Sequence, residues 1–433
     1  MQYTTTEDLL NKFRNHPYLS TDSRKVMPGS IFFALKGDNF NANAFAAKAI
    51  ENGAAYAVID DPEMFTGTRT LLVQSVLDSL QSLASLYRSH LRIPIIGITG
   101  TNGKTTTKEL LSVALSARFT TIATPGNFNN HIGVPLTLLS IKPDTEIAVV
   151  EMGANHRGEI ADLCKIARPT HGLITNIGKA HLEGFGGFEG VKIAKRELYE
   201  YLIENGGTVF VNSGDDLLIQ MSARAHRVTY GSQPEDEVSG IPQTDTDGYL
   251  KVDLKKPVAR KFITQLAGDY NYSNVMAALC VAKQFRVDIN AAIDAIASYV
   301  PGMNRSQIKQ TSSNTLILDA YNANPSSMRL AIENFRRLAA ANKVMILGDM
   351  FELGEEAASE HAEIIQLVKE LSLGQVYTAG PYFYEAAMGV ENIQPFKTTD
   401  DLKEALKSNP PANATILIKG SRGMKFEVLT DYL

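Results

Sequence analysis

A run of glycine, threonine and lysine residues around position 100 has the composition of a phosphate-binding loop. It reads Gly-Ile-Thr-Gly-Thr-Asn-Gly-Lys-Thr-Thr over residues 97–106, directly after a β-branched run. Glycines let backbone N–H groups approach phosphate oxygens, Lys104 can meet the β- and γ-phosphate charge, and Thr105 can ligate Mg²⁺. The usual pattern has its first glycine at position 98, where this chain has Ile98, so we predict a variant phosphate loop; a glycine-rich turn before a helix is the alternative. The nucleotide-binding residues predicted from this loop are Gly100, Thr101, Asn102, Gly103, Lys104, Thr105 and Thr106.

A carboxylate and an imidazole stand near the ends of two apolar runs farther along the chain. Glu151 ends the run Ile147–Glu151, and His181 follows the run Leu173–Ile177 within a few residues. Ligands of open parallel sheets bind outside the carboxyl ends of the strands, so Thr105, Glu151 and His181 could converge on one site. Mg²⁺ takes one or two carboxylates with phosphate oxygens and waters, and a histidine ligand is less usual for it. The alternatives are a helix-capping or salt-bridged Glu151 and an ordinary loop histidine at position 181.

Short apolar runs suited to buried strands alternate with helix-period stretches along the whole chain. This alternation is typical of βαβ units and parallel sheets, so we predict an α/β fold. The predicted strand runs are Ile31–Leu35, Ala55–Ile59, Ile93–Thr99, Ile147–Glu151, Leu173–Ile177, Thr208–Val211, Thr315–Asp319, Val344–Gly348, Gln375–Ala379 and Thr415–Ile418.

Two breaks in this alternation divide the 433 residues into three predicted domains, 1–91, 92–300 and 301–433. Near residue 91 the amphipathic stretch Val76–His90 gives way to a new apolar strand, and near residue 300 the helical stretch Asn271–Tyr299 ends at Pro301-Gly302. A domain count of three also fits the length at about 150 residues per domain. The polar segment 232–258 is predicted to form hairpins or loops within the middle domain.

The charge balance and the cysteines restrict partners and compartment. Lys and Arg number 42 against 47 Asp and Glu, a net charge of −5 with no basic stripe, so we expect no nucleic-acid partner. The two cysteines cannot form a disulfide framework, which favours a reducing compartment. The start of the chain has Glu7 and Asp8 where a signal peptide would be basic, and no apolar run approaches the ~18 residues of a membrane span. We therefore expect a cytoplasmic protein without membrane insertion.

Ten longer motifs along the chain match the motifs of one enzyme family, and they follow one another in the same order. They are TDSRKVMPG (21–29), FFALKG (32–37), GITGTNGKTTT (97–107), TPGNFNNHIGVP (124–135), VVEMGANHRGEI (149–160), AHLEGFG (180–186), GDYNYSN (268–274), LDAYNANPSSM (318–328), LGDMFELG (347–354) and IKGSR (418–422). Together they resemble the Mur ligases of peptidoglycan synthesis, and most closely the branch that adds D-alanyl-D-alanine. The segment Asn322-Ala-Asn324-Pro stands where the branch that adds the third residue often carries Asp-Asn-Pro-Arg.

The resemblance implies a small α/β N-terminal domain for a UDP substrate, a central phosphate-loop ATPase domain with a parallel sheet, and a Rossmann-like C-terminal domain. It implies a ligase that uses ATP and Mg²⁺ to join D-Ala-D-Ala to the terminal carboxylate of UDP-N-acetylmuramoyl-tripeptide through an acyl phosphate. We expect a monomer. Two alternatives remain: another amide ligase of the superfamily, diaminopimelate- or lysine-adding or a folylpolyglutamate synthetase, and, more remotely, a regulatory ATPase. The sequence leaves open whether the third residue of the acceptor is lysine or diaminopimelate.

The resemblance also implies roles for individual residues. The catalytic residues are Lys104, Glu151, His181 and Lys195, and the metal ligands are Thr105, Glu151, His181 and Lys195. Lys195 would ligate as a carbamate, because a bare ammonium would repel Mg²⁺; read without the family it is a solvated helix lysine. The resemblance implies further nucleotide contacts: Asn271 and Asn274 with adenine, Asp319 with ribose, and Arg305 with phosphate. The alternative for Asp319 is that its carboxylate only caps the end of its strand. The implied substrate-binding residues are Asp22, Ser23, Arg24, Asn127, Asn130, Asn322, Asn324, Ser421 and Arg422.

The sequence departs from the family pattern at three places, which puts the residue roles implied there in question. The usual Pro-Gly-Arg is Pro301-Gly-Met-Asn-Arg305 here, which moves the arginine two places. Tyr270 stands before Asn271 where the family has histidine. A common Asp-Gly-His or Asp-Ala-His before phenylalanine is replaced by Asn41-Ala-Asn43-Ala-Phe45.

Overall fold

The structure is a computed structural model that describes residues 3–37, 39–244, 247–302 and 304–433. Its α-helices are α1 Thr6–Asn15, α2 Ala46–Glu51, α3 Val76–His90, α4 Lys104–Ser116, α5 Gly133–Leu139, α6 Glu159–Ala167, α7 Leu182–Phe185, α8 Phe188–Glu204, α9 Asp216–Met221, α10 Tyr272–Gln284, α11 Ile289–Ser298, α12 Pro325–Arg337, α13 Ala357–Leu371, α14 Pro381–Ala387 and α15 Thr399–Ser408. Its strands are β1 Leu19–Ser20, β2 Ile31–Phe33, β3 Lys36–Gly37, β4 Phe40–Asn41, β5 Tyr56–Ile59, β6 Thr70–Leu72, β7 Ile95–Thr99, β8 Thr121–Ala123, β9 Ile147–Glu151, β10 His171–Ile174, β11 Thr208–Asn212, β12 His226–Gly231, β13 Val238–Thr244, β14 Tyr249–Lys256, β15 Arg260–Ala267, β16 Gln307–Gln310, β17 Asn314–Leu318, β18 Lys343–Gly348, β19 Gln375–Ala379, β20 Ile393–Phe396 and β21 Ala414–Lys419.

The chain divides into two compact units. The first contains the described residues up to Ile98 together with Phe119–Ala154 and Glu159–Gly172. The second contains Thr99–Arg118, Asn155–Gly158 and the described residues from Leu173 onward. The predicted domains 1–91, 92–300 and 301–433 stay a prediction.

The first unit contains a four-stranded parallel sheet in the order β1-β2-β5-β6. Side chains of β2, α2 and β5 form its core, with Phe32, Ala49 and Ile59 fully buried. The same unit contains β7 and β8, which pair in parallel with either side of β9. Ile98 of β7 lies opposite Glu151 of β9, so this glutamate occupies the carboxyl end of a buried parallel strand.

The second unit contains helix α4 and two groups of strands. Strands β11, β12 and β13 pair in parallel, and β13, β14 and β15 pair antiparallel, while α4 packs against α10 and α11. A six-stranded sheet of order β16-β17-β21-β18-β19-β20 is parallel except for β16. Because β17, β21 and β18 are neighbours and parallel, the loops that follow them leave the same edge of the sheet.

The predicted α/β class is confirmed, because each predicted apolar run contains or overlaps a strand. The segment 232–258 contains the antiparallel pair β13 and β14, as predicted, with residues 245 and 246 outside the described residues. The prediction of one helical stretch over Asn271–Tyr299 is wrong in continuity. Arg286 takes the left-handed conformation (φ 57°) after α10, and the Asp288 carboxylate caps the first turn of α11, so two helices form. No helix among the described residues is long and apolar enough to cross a bilayer.

Candidate active site

The phosphate loop connects β7 to α4 through two glycines in conformations that favour glycine. Gly100 has φ 140° and Gly103 has φ 79°. A Cβ at Gly100 would lie 2.0 Å from Thr175 Oγ1, and one at Gly103 would lie 2.7 Å from Asn274 Oδ1. Glycine is therefore required at both positions by backbone conformation and by close neighbours. The predicted strand–loop–helix arrangement is confirmed.

Asn102, at the tip of this loop, forms hydrogen bonds through its carbonyl, its backbone N–H and its side chain. Its carbonyl accepts hydrogen bonds from Thr175 Oγ1 (2.6 Å) and Asn176 Nδ2 (3.0 Å), and its N–H donates to Asn176 Oδ1 (3.0 Å). Its side-chain Oδ1 accepts from Asn324 Nδ2 at 2.7 Å. Asn324 was predicted to bind substrate, but the structural roles of Thr175 and Asn176 were missed. The only signal for them was their place at the end of the predicted strand Leu173–Ile177.

Lys104 is the first residue of α4 and folds back over the loop. Its Nζ donates to the carbonyls of Gly100 (2.8 Å) and Thr101 (3.0 Å). The next two residues, Thr105 and Thr106, are each 8% exposed. The lysine and both threonines thus lie in the first turn of a helix, where the helix dipole favours an anion.

The predicted adenine residues Asn271 and Asn274 lie against the loop and are almost fully buried. Asn274 Nδ2 donates to Asn271 Oδ1 (3.0 Å), and Asn271 Nδ2 donates to the carbonyl of Ala267 (2.8 Å). Thr107 of α4 donates to Asn274 Oδ1 at 3.0 Å. In this arrangement the two amides support the loop and α4; their contact with adenine stays a prediction.

His181 lies among three ionisable side chains of the second unit. Its Nδ1 is against the Glu352 carboxylate, and Lys104 and Lys195 are close enough to influence its charge. Burial lowers the pKa of His181; the Glu352 charge opposes this effect, whereas the charges of Lys104 and Lys195 add to it. The neutral imidazole is thereby favoured, and a neutral imidazole is the form that ligates a metal. Glu352 was missed as a site residue, although the motif LGDMFELG contains it.

Lys195 lies on α8 and is 2% exposed, so it is not the solvated helix lysine of the alternative interpretation. Its Nζ is 5.1 Å from the centroid of the Phe185 ring. An ammonium group in this position adds positive charge beside Lys104 and His181. A carbamate on the same nitrogen would instead add a negative oxygen ligand.

Glu151 lies in the first unit and is 1% exposed. Its Oε1 accepts from Asn129 Nδ2 (2.8 Å), and its N–H donates to Thr124 Oγ1 (2.9 Å). The loop that follows β8 therefore orients this carboxylate. Asn130 uses its Oδ1 to accept from the N–H groups of Ile132 and Gly133 at the start of α5, which fixes the same loop.

The predicted UDP residues also lie in the first unit, in an exposed turn. Arg24 donates to both carboxylate oxygens of Asp22, with Nε–Oδ1 and Nη2–Oδ2 distances of 2.9 Å each. The pKa of Asp22 is lowered to about 2, first by the side-chain hydrogen bond from Arg24 and then by the backbone N–H of Arg24. Ser23 lies between them, and Asn127, predicted for the same substrate, is exposed.

The remaining predicted residues lie on the loops after β17 and β21. Asp319 forms an ion pair with Lys419 (2.6 Å). Ser421 Oγ accepts from the N–H of Phe351 at 3.0 Å, while Asn322 is exposed. The guanidinium of Arg305 is stacked on Tyr321, its Cζ 3.5 Å from the ring centroid, and Arg422 donates to Tyr321 Oη at 3.3 Å.

The predicted metal ligands are of four different residue types: a threonine, a glutamate, a histidine and a lysine. In the part of the chain that the structure describes, no three His, Cys, Asp or Glu side chains gather into a group that could hold a metal ion. The predicted ligands Thr105 and Lys195 are outside those residue types. Within the second unit the structure does bring Lys104, His181 and Lys195 together.

Comparisons with known proteins agree with this architecture. The chain matches the Mur ligase family catalytic domain over residues 18–96, the Mur ligase middle domain over 98–282 and the Mur ligase glutamate ligase domain over 304–422. The UDP-N-acetylmuramoyl-tripeptide--D-alanyl-D-alanine ligase of Bacillus subtilis is 34% identical over 427 residues, 96% of this chain and 92% of that one. The protein of the same name from Escherichia coli is 33% identical over 422 residues, 94% and 92% of the two chains.

Solved structures show the same similarity. A crystal structure of MurF from Acinetobacter baumannii aligns with a TM-score of 0.88 at 29% identity, over 100% of this chain and 98% of that one. The MurF ligase of Thermotoga maritima in complex with ADP aligns with a TM-score of 0.85 at 27% identity, over 98% and 97%. With matches along nearly its whole length, the chain belongs to the Mur ligase family.

Proposed function

We propose that this chain is the ATP-dependent ligase that joins D-Ala-D-Ala to the terminal carboxylate of UDP-N-acetylmuramoyl-tripeptide in peptidoglycan precursor synthesis. One observation carries the proposal: relatives of that name match it over nearly the full length. The phosphate loop supports the proposal, because such a ligase needs an ATP site and this loop requires glycine at Gly100 and Gly103 and has Lys104 at its end.

The reaction has two steps. The γ-phosphoryl group of ATP passes to the tripeptide carboxylate, which gives an acyl phosphate and ADP. The free amine of D-Ala-D-Ala then attacks the acyl carbon, the C–N bond forms, and inorganic phosphate leaves while the amine loses its proton. Catalysis must bring a carboxylate to a triphosphate, so neutralising negative charge is its main requirement.

Lys104 would meet that requirement. Its Nζ bonds to two loop carbonyls of the chain, Gly100 and Thr101. A phosphate oxygen is a stronger acceptor for an ammonium group than a neutral carbonyl, so Lys104 would turn to the β- and γ-phosphates of bound nucleotide. The loop stays in place during this change because Thr175, Asn176 and Asn324 hold Asn102 independently of the lysine.

Mg²⁺ would be held by Thr105, Glu151, His181 and carbamylated Lys195. The donor chemistry fits through the hydroxyl, the carboxylate and an imidazole whose pKa is lowered mainly by burial, an effect that does not depend on the charge of Lys195. When bound, the ion supplies positive charge to the transferring phosphoryl group. Lys195 fits only as the carbamate, because its ammonium would repel the ion.

Carbamylation of Lys195 has a direct test. Protein equilibrated with ¹³C-bicarbonate should show a carbamate carbonyl signal that is lost in Lys195→Arg. Lys192→Arg is the matched control, because Lys192 lies on the same helix in an ion pair with Glu189. Absence of the signal in the wild-type protein would exclude the carbamate.

The other predicted contacts complete the proposal. Asn271, Asn274 and Asp319 would bind adenosine, and Arg305 would bind phosphate. Asp22, Ser23 and Arg24 would bind the UDP group, where a guanidinium suits a diphosphate. Asn127 and Asn130 would contact the same substrate, and Asn322, Asn324, Ser421 and Arg422 would contact D-Ala-D-Ala or phosphate. Cys164 and Cys280 are both buried and neither is in a disulfide, which is consistent with a reducing cytoplasm. We expect a monomer by size-exclusion chromatography with light scattering.

A phosphate-release assay tests the function. We expect ADP and phosphate only when ATP, a UDP-N-acetylmuramoyl-tripeptide and D-Ala-D-Ala are all present. Parallel reactions with the lysine- and the diaminopimelate-containing tripeptide identify the third residue of the acceptor. Lys104→Ala should lower turnover at least about 100-fold. Near-normal ADP release by that variant, or ATP turnover without either acceptor, would contradict the proposal.

A further inference from the structure

Two arginines contact one tyrosine ring in the C-terminal part of the second unit. The Arg305 Cζ is 3.5 Å from the centroid of the Tyr321 ring, and the Arg422 Cζ is 5.4 Å from it. Arg422 Nη1 also donates a hydrogen bond of 3.3 Å to Tyr321 Oη. We refer to Arg305, Tyr321 and Arg422 as the arginine–tyrosine cluster.

The two positive charges of this cluster have no carboxylate partner among the described residues. The nearest candidate along the chain, Asp319, is paired with Lys419 at 2.6 Å. Arg305 Nη1 is buried, and none of the described residues accepts a hydrogen bond from it. A buried guanidinium N–H without an acceptor is costly, and a second positive charge beside it adds repulsion. An oxyanion between the two arginines would remove both costs.

The cluster also lies where the reaction requires an anion site. Tyr321 and Arg422 are on the loops after β17 and β21, neighbouring parallel strands whose carboxyl ends form one edge. Asn324, three residues after Tyr321, bonds to Asn102 at the tip of the phosphate loop. The cluster therefore belongs to the loops that meet the ATP site.

We propose that Tyr321 is a positioning residue that holds Arg305 by stacking and Arg422 by a hydrogen bond, so that the two arginines, already assigned to anions, bind one oxyanion jointly. The proposal rests on the proposed function, which supplies two oxyanions: the carboxylate of the incoming dipeptide and a phosphate group of ATP. Both have oxygens that a guanidinium can bind in a bidentate manner. The ring is needed because stacking fixes the plane of a guanidinium without consuming its N–H donors.

Two substitutions of Tyr321 separate its two contacts. Tyr321→Phe keeps the ring under Arg305 and removes the hydrogen bond to Arg422, whereas Tyr321→Leu removes both. We expect the KM for the bound oxyanion to rise about threefold in Tyr321→Phe and about tenfold in Tyr321→Leu, with kcat changed less than about twofold. Tyr384→Leu is the matched control, because it removes a ring 5.1 Å from Lys397 Nζ elsewhere in the same sheet region.

Comparing the KM for D-Ala-D-Ala with the KM for ATP in the Tyr321 variants identifies the molecule that carries the oxyanion. A rise in the KM for D-Ala-D-Ala, together with poor use of its C-terminal amide by the wild-type protein, identifies the carboxylate. A rise in the KM for ATP identifies phosphate. Either result supports the joint site.

Circular dichroism and thermal unfolding establish that each variant is folded. If Tyr321→Leu does not fold, Tyr321→Phe and the exposed-residue variant Arg422→Met decide, and both should raise the same KM. The inference is overturned if folded variants keep both KM values within about twofold of wild type, or if Tyr384→Leu has the same effect. Absence of dipeptide-dependent phosphate release in the wild-type protein would contradict the proposed function instead.

Discussion

The conformation of the phosphate loop depends on glycine at two positions, where any side chain would clash with neighbouring residues. The sequence departs from the usual loop pattern at Ile98, yet Gly100 and Gly103 occupy the two backbone positions with positive φ. Ile98 lies within the buried strand β7, where a β-branched residue packs well. The variant therefore keeps glycine where backbone and neighbours demand it and adds an apolar residue where the strand continues.

Gly100→Ala should abolish most activity. The added Cβ would lie 2.0 Å from Thr175 Oγ1, which bonds to the carbonyl of Asn102, so the loop must move away from its support. We expect phosphate release to fall at least about 100-fold, because misplacement of about 1 Å is enough for such a loss. Gly37→Ala is the control, since its φ is ordinary and, apart from its chain neighbours, none of the described residues has an atom within 4 Å of its Cβ position. Activity of Gly100→Ala near that of the control would show that the loop tolerates the displacement.

The Asp22–Arg24 pair should titrate at an unusually low pH. The Arg24 side chain donates to both Asp22 oxygens, which holds the pKa of Asp22 at about 2. Its stabilising effect is complete above the ordinary value near 4 and is lost as pH falls through about 2. An NMR titration of the Asp22 carboxyl carbon should show this midpoint, and Arg24→Met should return it to about 4. An unchanged midpoint in that variant would assign the shift to another group.

At the scale of elements, Asp60 joins three parts of the N-terminal sheet region. It follows β5 directly, accepts from Asn43 Nδ2 (2.8 Å) and from the N–H of Val76 at the start of α3 (3.2 Å), and pairs with Lys36 (2.8 Å). Burial alone would raise the pKa of Asp60, but the bonds from Lys36, Asn43 and Val76 outweigh it, so the pKa lies below its ordinary value. One carboxylate thus fixes the end of β5, the 3₁₀ turn Ala42–Phe45 that contains Asn43, and the start of α3.

Asp60→Asn should destabilise the protein by about 1–2 kcal/mol at neutral pH, because the charge-assisted bonds are lost. Since the folded pKa of Asp60 is lowered, this contribution is present above about pH 4 and disappears as pH falls through the folded value. Urea unfolding at pH 7 and at lower pH should therefore show a difference from wild type that shrinks on acidification. Glu51→Gln, which removes an exposed ion pair with Lys48, should change the free energy of unfolding by less than about 0.5 kcal/mol. A pH-independent difference for Asp60→Asn would contradict the argument.

The elements themselves were largely predictable, and the reason is local. The buried strands β7, β9 and β18 are short apolar runs, and α4 follows a glycine loop, so neighbouring residues specify them. The break between α10 and α11 was missed because apolar periodicity continues through it. Only the capping tendency of Asp288 marks the second start.

The supports of the site were much less predictable, because they join residues far apart in the chain. Asn102 is held by Asn176, 74 positions away, and by Asn324, 222 positions away. Motif order indicated that these segments belong to one enzyme, but no periodicity indicates which amide meets which. The predicted roles of Lys104 and His181 came from the family resemblance, whereas the contact between His181 and Glu352 became visible only in the structure.

At the scale of the whole molecule, the net charge of −5 says little about a site that must bind anions. The positive charge is local, in Lys104 and in the arginine–tyrosine cluster, and the second unit also pairs charges between distant segments. Lys179, near the loop after β10, contacts Glu360 of α13, and Arg337 of α12 pairs with Asp269 at 2.7 Å. The first pair fixes the loop after β10 against α13, and the second fixes the turn after β15 against α12.

The ion pair of Lys179 and Glu360 is only partly shielded from solvent. Glu360 is 4% exposed, whereas the Lys179 side chain is 42% exposed, so solvent screens the pair from one side. The backbone N–H of Lys179 also donates to Ser326 Oγ at 2.9 Å, next to the start of α12. The pair thus holds the segment before His181 close to the residues that contact Asn102.

Glu360→Gln should lower the free energy of unfolding by about 0.5–1 kcal/mol after allowance for screening. The hydrogen bond from Lys179 to Glu360 raises the pKa of Lys179, so the contribution is complete below the ordinary lysine value near 10.4 and is lost as pH rises through the folded value. We expect kcat to fall about threefold with KM for ATP unchanged, because the phosphate loop has its own supports while the alignment of His181 loosens. Glu404→Gln, which removes the exposed pair with Lys407 on α15, is the control and should change neither quantity. If the two variants behave alike in unfolding and in turnover, the pair has no part in holding the site together.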